Sequence, residues 1–184
     1  MANRRSNWML GAAFVLALFG VTAAILAVRF LTPPQVDTLI ASTDRQAAAL
    51  SMPTLDGGTF SSAAHKGQVV LVNYFATWCP PCVAEMPDLV KIGGDYQGKG
   101  LVMAGVSVDV PEGDREKLLR GFAADHEITY PILLPGPDSP VYRADMTIPQ
   151  TFLIDKQGRT AYHLTGQLDP KELRPLIDRL LAEP

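Results

Sequence analysis

Cys79 and Cys82 are the two cysteines of this chain, and both stand in the stretch "FATWCPPC", with Pro80 and Pro81 between them. Thiols paired this closely can form a structural disulfide, two inert core residues, half of a metal site, or a dithiol that opens and closes. A stabilising disulfide gains most when it closes a long loop, and a two-residue gap closes almost nothing. A zinc site wants four ligands. His65, His126 and His163 are scattered singly, with no paired spacing. Redox chemistry suits the gap best, because such a pair can make and break its bond without moving the fold. Cys-x-x-Cys where a strand turns into a helix is a redox pattern.

The elements around the pair supply that setting. Residues 68–76, "QVVLVNYFA", are almost all apolar and rich in β-branched and aromatic types, which predicts a strand buried on both faces. A helix is expected from the cysteines to about Tyr96, with Pro87 inside it. The Cys79 sulfur then faces the helix N-terminus, where unpaired N–H groups and the dipole favour a thiolate. Cys82 lies one turn further in, more buried, and is placed to resolve a mixed disulfide formed at Cys79. Proline is tolerated in a first helical turn. Pro80 and Pro81 nevertheless remove two donors that could have stabilised the Cys79 thiolate.

The rest of the domain alternates in the same way. "SMPTLDGGTF" reads as a hairpin turning at Asp56-Gly57-Gly58. Further strands are expected at 101–109, 131–134, 151–155 and 160–164, the last two joined by the turn "KQGR". Asp114 can cap a helix running to about Asp125. Asp169-Pro170-Lys171-Glu172 is a helix start, and Pro175 falls inside the helix that follows. This order predicts an α/β fold with a mixed central sheet. Its first part is parallel with a right-handed crossover, its last two strands are antiparallel, and helices are expected on both faces.

The chain has 184 residues, net charge −3 and 47% hydrophobic residues. That suits one globular domain with an attachment, and neither the charge nor any basic run points to nucleic acid. The attachment is N-terminal. Trp8 to Val28 is 21 residues without a charge. As a helix it would span roughly 30 Å, the thickness of a bilayer core. Arg4 and Arg5 precede it, so the positive-inside rule puts the N-terminus in the cytoplasm. A cleavable signal peptide is the rival reading, but its apolar region runs about 7–15 residues, and this one ends in Arg29-Phe30-Leu31, a poor cleavage site. The expected organisation is a cytoplasmic N-terminus over 1–7, a transmembrane signal-anchor over 8–31, a linker over 32–48 and a folded, exported domain over 49–184.

With these residues in place, the chain resembles the thioredoxin superfamily. "VVLVNYFATWCPPCVAEMP" is similar to its active-site signature. "LDGGTFSSAAHKG", "GVSVD", "YPILL", "IPQTFLIDKQGR" and a final helix follow in family order. The resemblance is closest to the TlpA/ResA-like membrane-anchored thiol–disulfide oxidoreductases of bacteria, near the cytochrome c maturation thioredoxins. It covers about residue 50 to the end. It implies a thioredoxin-like fold with Cys79 as exposed nucleophile and Cys82 as resolving thiol. Pro149 matches the proline opposite the active site, whose preceding peptide bond is cis. Ile148 would offer its backbone to a client, and Trp78, Pro80 and Pro81 would flank it. Asn73 stands where thioredoxins carry a buried Asp, and it cannot take up a proton. Glu85 follows Cys82 by three on one helix face. The resemblance implies that it manages the resolving thiol's proton, with a pKa raised by burial. "YRADMTIPQT", with Gln150 after the proline, and Phe75 in place of a common tryptophan are departures from the branch.

The activity implied is protein disulfide reduction on the periplasmic side of a bacterial inner membrane. A membrane thiol transporter would be the electron donor. The clients would be an apocytochrome c haem-binding motif or the cysteine pair of a copper-site protein. No cofactor or metal is implied. The alternatives are an oxidant or isomerase of the same fold, a thiol peroxidase, and a copper metallochaperone using His126 or His163.

Overall fold

The computed structural model describes residues 39–142 and 146–184, and the expected anchor over 8–31 lies outside them. Strands β1 (Ser51–Pro53) and β2 (Thr59–Ser61) form the hairpin over Asp56-Gly57-Gly58. Then come β3 (Val69–Phe75), α1 (Pro80–Asp95), β4 (Leu101–Ser107), α2 (Arg115–Asp125), β5 (Ile132–Leu133), β6 (Gln150–Ile154), β7 (Thr160–Thr165) and α3 (Pro170–Ala182). The five-stranded sheet has the order β5-β4-β3-β6-β7. β3, β4 and β5 are parallel, and β6 and β7 run against their neighbours.

Local signals explain these bounds. Asp114 accepts the Lys117 N–H at 3.1 Å and Asp169 accepts the Lys171 N–H at 2.8 Å, so each helix start gains a side-chain cap. Pro87 and Pro175 both sit inside helices that continue past them. In β3 the odd positions Val69, Leu71 and Phe75 join the core under the helices, and the even positions Val70 and Val72 join a second core. That is why the strand's apolar run is unbroken. On β4, a side chain at Gly105 would press within 3.0 Å of the Phe75 ring and 3.3 Å of Tyr130. The bare glycine lets both rings approach the sheet, Phe75 stacking on Phe122 of α2 and Tyr130 reaching Met86 of α1.

The expectation of helices on both faces is corrected. The buried residues of all three helices fall in one core: Cys82, Met86, Leu89 and Ile92 of α1, Leu119 of α2, and Leu173, Leu176, Ile177 and Leu180 of α3. The reason is topological. β3, β4 and β5 step the same way across the sheet, so two right-handed crossovers put α1 and α2 on the same face. The other face is covered by Phe60 of the hairpin with Leu50 and Met52 packed beside it.

The linker expectation is also corrected, for residues 39–48. Ile40 donates its N–H to Ala161, Ala48 donates to Gly158, and Thr160 donates back to Gln46, all at 2.8–2.9 Å. Arg45 is buried between Asp155 (3.1 Å) and the Glu183 carboxylate (2.8 Å from Nη2). Local composition hid this, because the partners of Arg45 come from the β6–β7 turn and the end of α3. Arg45→Met should leave Glu183 without its cation and Asp155 with Arg159 alone, and cost about 1–3 kcal/mol in urea unfolding. For Asp155, burial pushes the pKa up, but bonds from Arg159 and Arg45 outweigh it and hold it below the usual range. For Glu183, Arg45 is the main cause of a lowered pKa. Folded-state pKa values below the unfolded ones stabilise above the ordinary carboxylate range. The wild type's advantage over Arg45→Met should therefore be full above about pH 5 and shrink as pH falls through the folded values.

Candidate active site

β3 ends at Phe75, and the chain turns through Ala76, Thr77 and Trp78 into α1. Cys79 is the N-cap, in extended backbone conformation, with Pro80 and Pro81 in the first turn. Neither proline has an N–H to give. The first donor of the helix is therefore the Cys82 N–H, and it points at Cys79 Sγ, 3.4 Å away. The two sulfurs are bonded, with their Cα atoms 5.3 Å apart. Cys82 is fully buried and Cys79 is 4% exposed, so the edge a partner can reach is that of Cys79. Pro80 and Pro81 are exposed, and Trp78, at 68%, is the most exposed large hydrophobic among the described residues.

Thr77 is tied down by a residue the sequence reading passed over. Its N–H and hydroxyl both bond the buried Asp109 carboxylate, the hydroxyl at 2.7 Å. The Ser107 hydroxyl donates to the same carboxylate at 3.0 Å. A carboxylate holding the turn before Cys79 fixes where the sulfur stands. The available signal was an acidic residue closing an apolar strand, in "GVSVD".

The Ile148–Pro149 peptide bond is cis. Pro149 is buried, and its carbonyl accepts the Gly166 N–H at 2.9 Å. Ile148 and Trp78, 70 positions apart in the chain, come together as walls of one cleft of about 220 Å³, with Val110, Tyr142 and Met146. The aromatic next to Cys79 in the chain and the residue expected to meet a client thus line one cleft.

Glu85 lies on the inner face of α1, 1% exposed. Oε1 accepts from Asn73 Nδ2 at 2.7 Å and Oε2 accepts from the Leu168 N–H at 3.1 Å. Burial pushes its pKa above the usual carboxylate range, against those two bonds, and the charge of Asp88 adds to the rise. Tyr130 is shifted upward as well, by burial and then by the Glu85 charge, and its hydroxyl faces Met86 Sδ at 3.6 Å. The histidines lie elsewhere. His65 stacks on Phe60, His126 tilts against Phe122, and His163 stacks on Phe152 while bonding Gln150 at 2.9 Å. Among the described residues no three His, Cys, Asp or Glu side chains converge on a metal-sized site.

Comparison with known proteins agrees with this geometry. The AhpC/TSA family matches residues 43–163. The Thioredoxin-like protein YneN of Bacillus subtilis (strain 168) is 35% identical over 138 residues, 73% of this chain and 78% of that protein. The thiol-disulfide oxidoreductase ResA of Geobacillus thermodenitrificans (strain NG80-2) is 29% identical over 127 residues, 68% of this chain and 71% of that protein. A crystal structure of a thiol:disulfide interchange protein, thioredoxin family, from Chlorobium tepidum TLS superposes with TM-score 0.64 at 28% identity, covering 75% of this chain and 97% of that one.

Proposed function

We propose that this chain, which belongs to the AhpC/TSA family and is a thiol–disulfide oxidoreductase of thioredoxin-like fold, works as an anchored reductant outside the cytoplasm. The observation that carries the direction is the setting of Cys79 Sγ. Among the described residues its hydrogen bond comes from a single backbone N–H, that of Cys82, because Pro80 and Pro81 have none to offer. Strong oxidants of this fold owe their potential to a stabilised reduced form. A thiolate with one donor, on a helix that also carries the buried carboxyl of Glu85, has weak stabilisation. Such a pair gives its electrons away.

In the proposed cycle a membrane thiol transporter reduces the Cys79–Cys82 disulfide. The Cys79 thiolate attacks one sulfur of a client disulfide and expels the other as a thiolate, leaving a mixed disulfide. Cys82 gives its proton to Glu85 and attacks Cys79 Sγ. The client leaves with two electrons more and takes up two protons, and the enzyme returns to the disulfide. Trp78, Pro80, Pro81 and the Ile148 backbone beside Pro149 form the surface the client meets. Residues 8–31 would hold the domain on the periplasmic face of a bacterial inner membrane. The clients would be the haem-binding cysteines of apocytochromes c or the cysteine pair of a copper-site protein.

Deleting the gene tests this reading. The deletion strain should lose c-type cytochromes or copper-dependent oxidase activity, and a dithiol added to the medium should restore the loss. Unchanged haem staining together with unchanged oxidase activity would overturn the proposed pathway.

A further inference from the structure

Asn73 lies in the middle of β3, opposite Thr151 of β6, and is 1% exposed. Its amide nitrogen serves two acceptors, Glu85 Oε1 at 2.7 Å and Thr151 Oγ1 at 3.3 Å. Its amide oxygen is buried and has no partner, and it is the one such side-chain atom among the described residues. An orphaned buried acceptor costs about 1–3 kcal/mol. A group left that way beside the proposed proton acceptor calls for a physical reason.

Both oxygens of Glu85 face donors: the Asn73 amide and the Leu168 N–H. That arrangement suits a carboxylate. A neutral carboxyl carries an O–H that needs an acceptor, and a donor cannot accept it. The Leu168 N–H belongs to the backbone and cannot change role. The Asn73 amide can. Turned over about its last side-chain torsion, it would bring Oδ1 to where Nδ2 now meets Glu85. The Thr151 hydroxyl, able to donate or accept, would switch to donating. The far end of the amide has no partner as it stands, and turning it over places the other end there. Either orientation leaves one end of the amide without a partner, so the proton on Glu85 biases the choice between them.

We infer that the Asn73 side-chain amide is a two-position partner of Glu85, presenting its NH₂ to the carboxylate and its carbonyl oxygen to the neutral acid. Asn73 is a positioning residue, and the inference rests on the reading of Glu85 as the proton acceptor for Cys82. It accounts for the residue type at this position. An aspartate would set two carboxyls side by side, which cannot both ionise freely. A leucine could hold neither form. The other groups facing Glu85 do not take the part. Asp88, on the same helix, acts on Glu85 through its charge. The Tyr130 hydroxyl, from the segment before β5, bonds Met86 Sδ.

The test measures disulfide exchange against pH on the full-length chain, for wild type, Asn73→Leu, Glu85→Gln and the double variant. Hydrogen bonds to charged groups are the stronger ones, so losing the amide hurts the carboxylate more than the acid. Asn73→Leu should shift the acid limb of the profile upward, leaving exchange about tenfold slower on that limb and recovering at higher pH. In the Glu85→Gln background the same change should cause no pH-dependent loss. An unshifted profile in folded Asn73→Leu, or an equal loss in both backgrounds, would overturn the inference. If Asn73→Leu does not fold, NMR on the wild type decides. The Asn73 side-chain amide resonances should titrate with the midpoint of the Glu85 carboxyl carbon, and amide resonances indifferent to that titration would overturn the inference. Glu85→Gln without effect on exchange would instead fail the reading of Glu85 as acceptor, and the co-titration would still decide the Asn73 question.

Discussion

Cys79→Ala should abolish disulfide exchange down to the uncatalysed background, whereas Cys82→Ala should turn the enzyme into a single-use trap. The asymmetry follows from burial. Cys79 holds the reachable edge of the pair, and Cys82 is fully covered beneath it. Without Cys79 no sulfur meets the client. Without Cys82 the first attack still proceeds, but the mixed disulfide has no thiol to resolve it. Non-reducing gels of a Cys82→Ala strain should show one client per enzyme molecule, released by reductant and absent when Cys79 is replaced by Ala as well. Neither change should cost much stability, because the bond closes only a two-residue gap. Equal trapping by both single variants would refute the assignment of roles.

Glu85→Gln should slow exchange on the order of 100-fold, the low end for loss of a positioned general base. The slowing should fall on resolution of the mixed disulfide, not on its formation. Stopped-flow mixing with a disulfide substrate separates the two steps. The same variant carries a stability signature. Burial raises the folded-state pKa of Glu85 above its ordinary value. The folded protein therefore holds that proton more tightly than the unfolded chain. This contribution is fully present below the unfolded pKa and is lost as pH rises through the folded one. Glutamine never ionises, so Glu85→Gln should raise the melting temperature at neutral pH and leave it nearly unchanged in acid. A slower enzyme that is also less stable at neutral pH would mean that Glu85 is needed for packing instead.

The part of the site most legible in the sequence was the part written in one stretch. The apolar run of β3, the cysteines behind it and two prolines in a first turn are local signals, and they place the pair at the N-terminus of α1. Glu85 three residues after Cys82 needed only helical spacing. Harder to see were contacts between residues far apart in the chain. Asp109 reaches Thr77 across 32 positions, Leu168 donates to Glu85 across 83, and Arg45 meets Asp155 across 110. Nothing in the neighbourhood of Arg45 distinguishes it from a solvated stalk residue, so residues 39–48 read as linker. The one-sided helix layer was missed for a related reason. Handedness of a single crossover is a local rule, but which face is left bare depends on the strand order of the whole sheet. Asn73 could be read as unable to take a proton; its empty carbonyl side emerged only with β6 and α1 in place.

The proposed function turns on the direction of electron flow. Its most direct test is the reduction potential of the Cys79–Cys82 pair, measured on the full-length protein by equilibration against defined dithiol–disulfide buffers. The single donor at Cys79 Sγ predicts a reducing pair, at or below the value of thioredoxin, about −270 mV. A value near that of the strong oxidants, about −120 mV, would contradict it and make the protein a donor of disulfides.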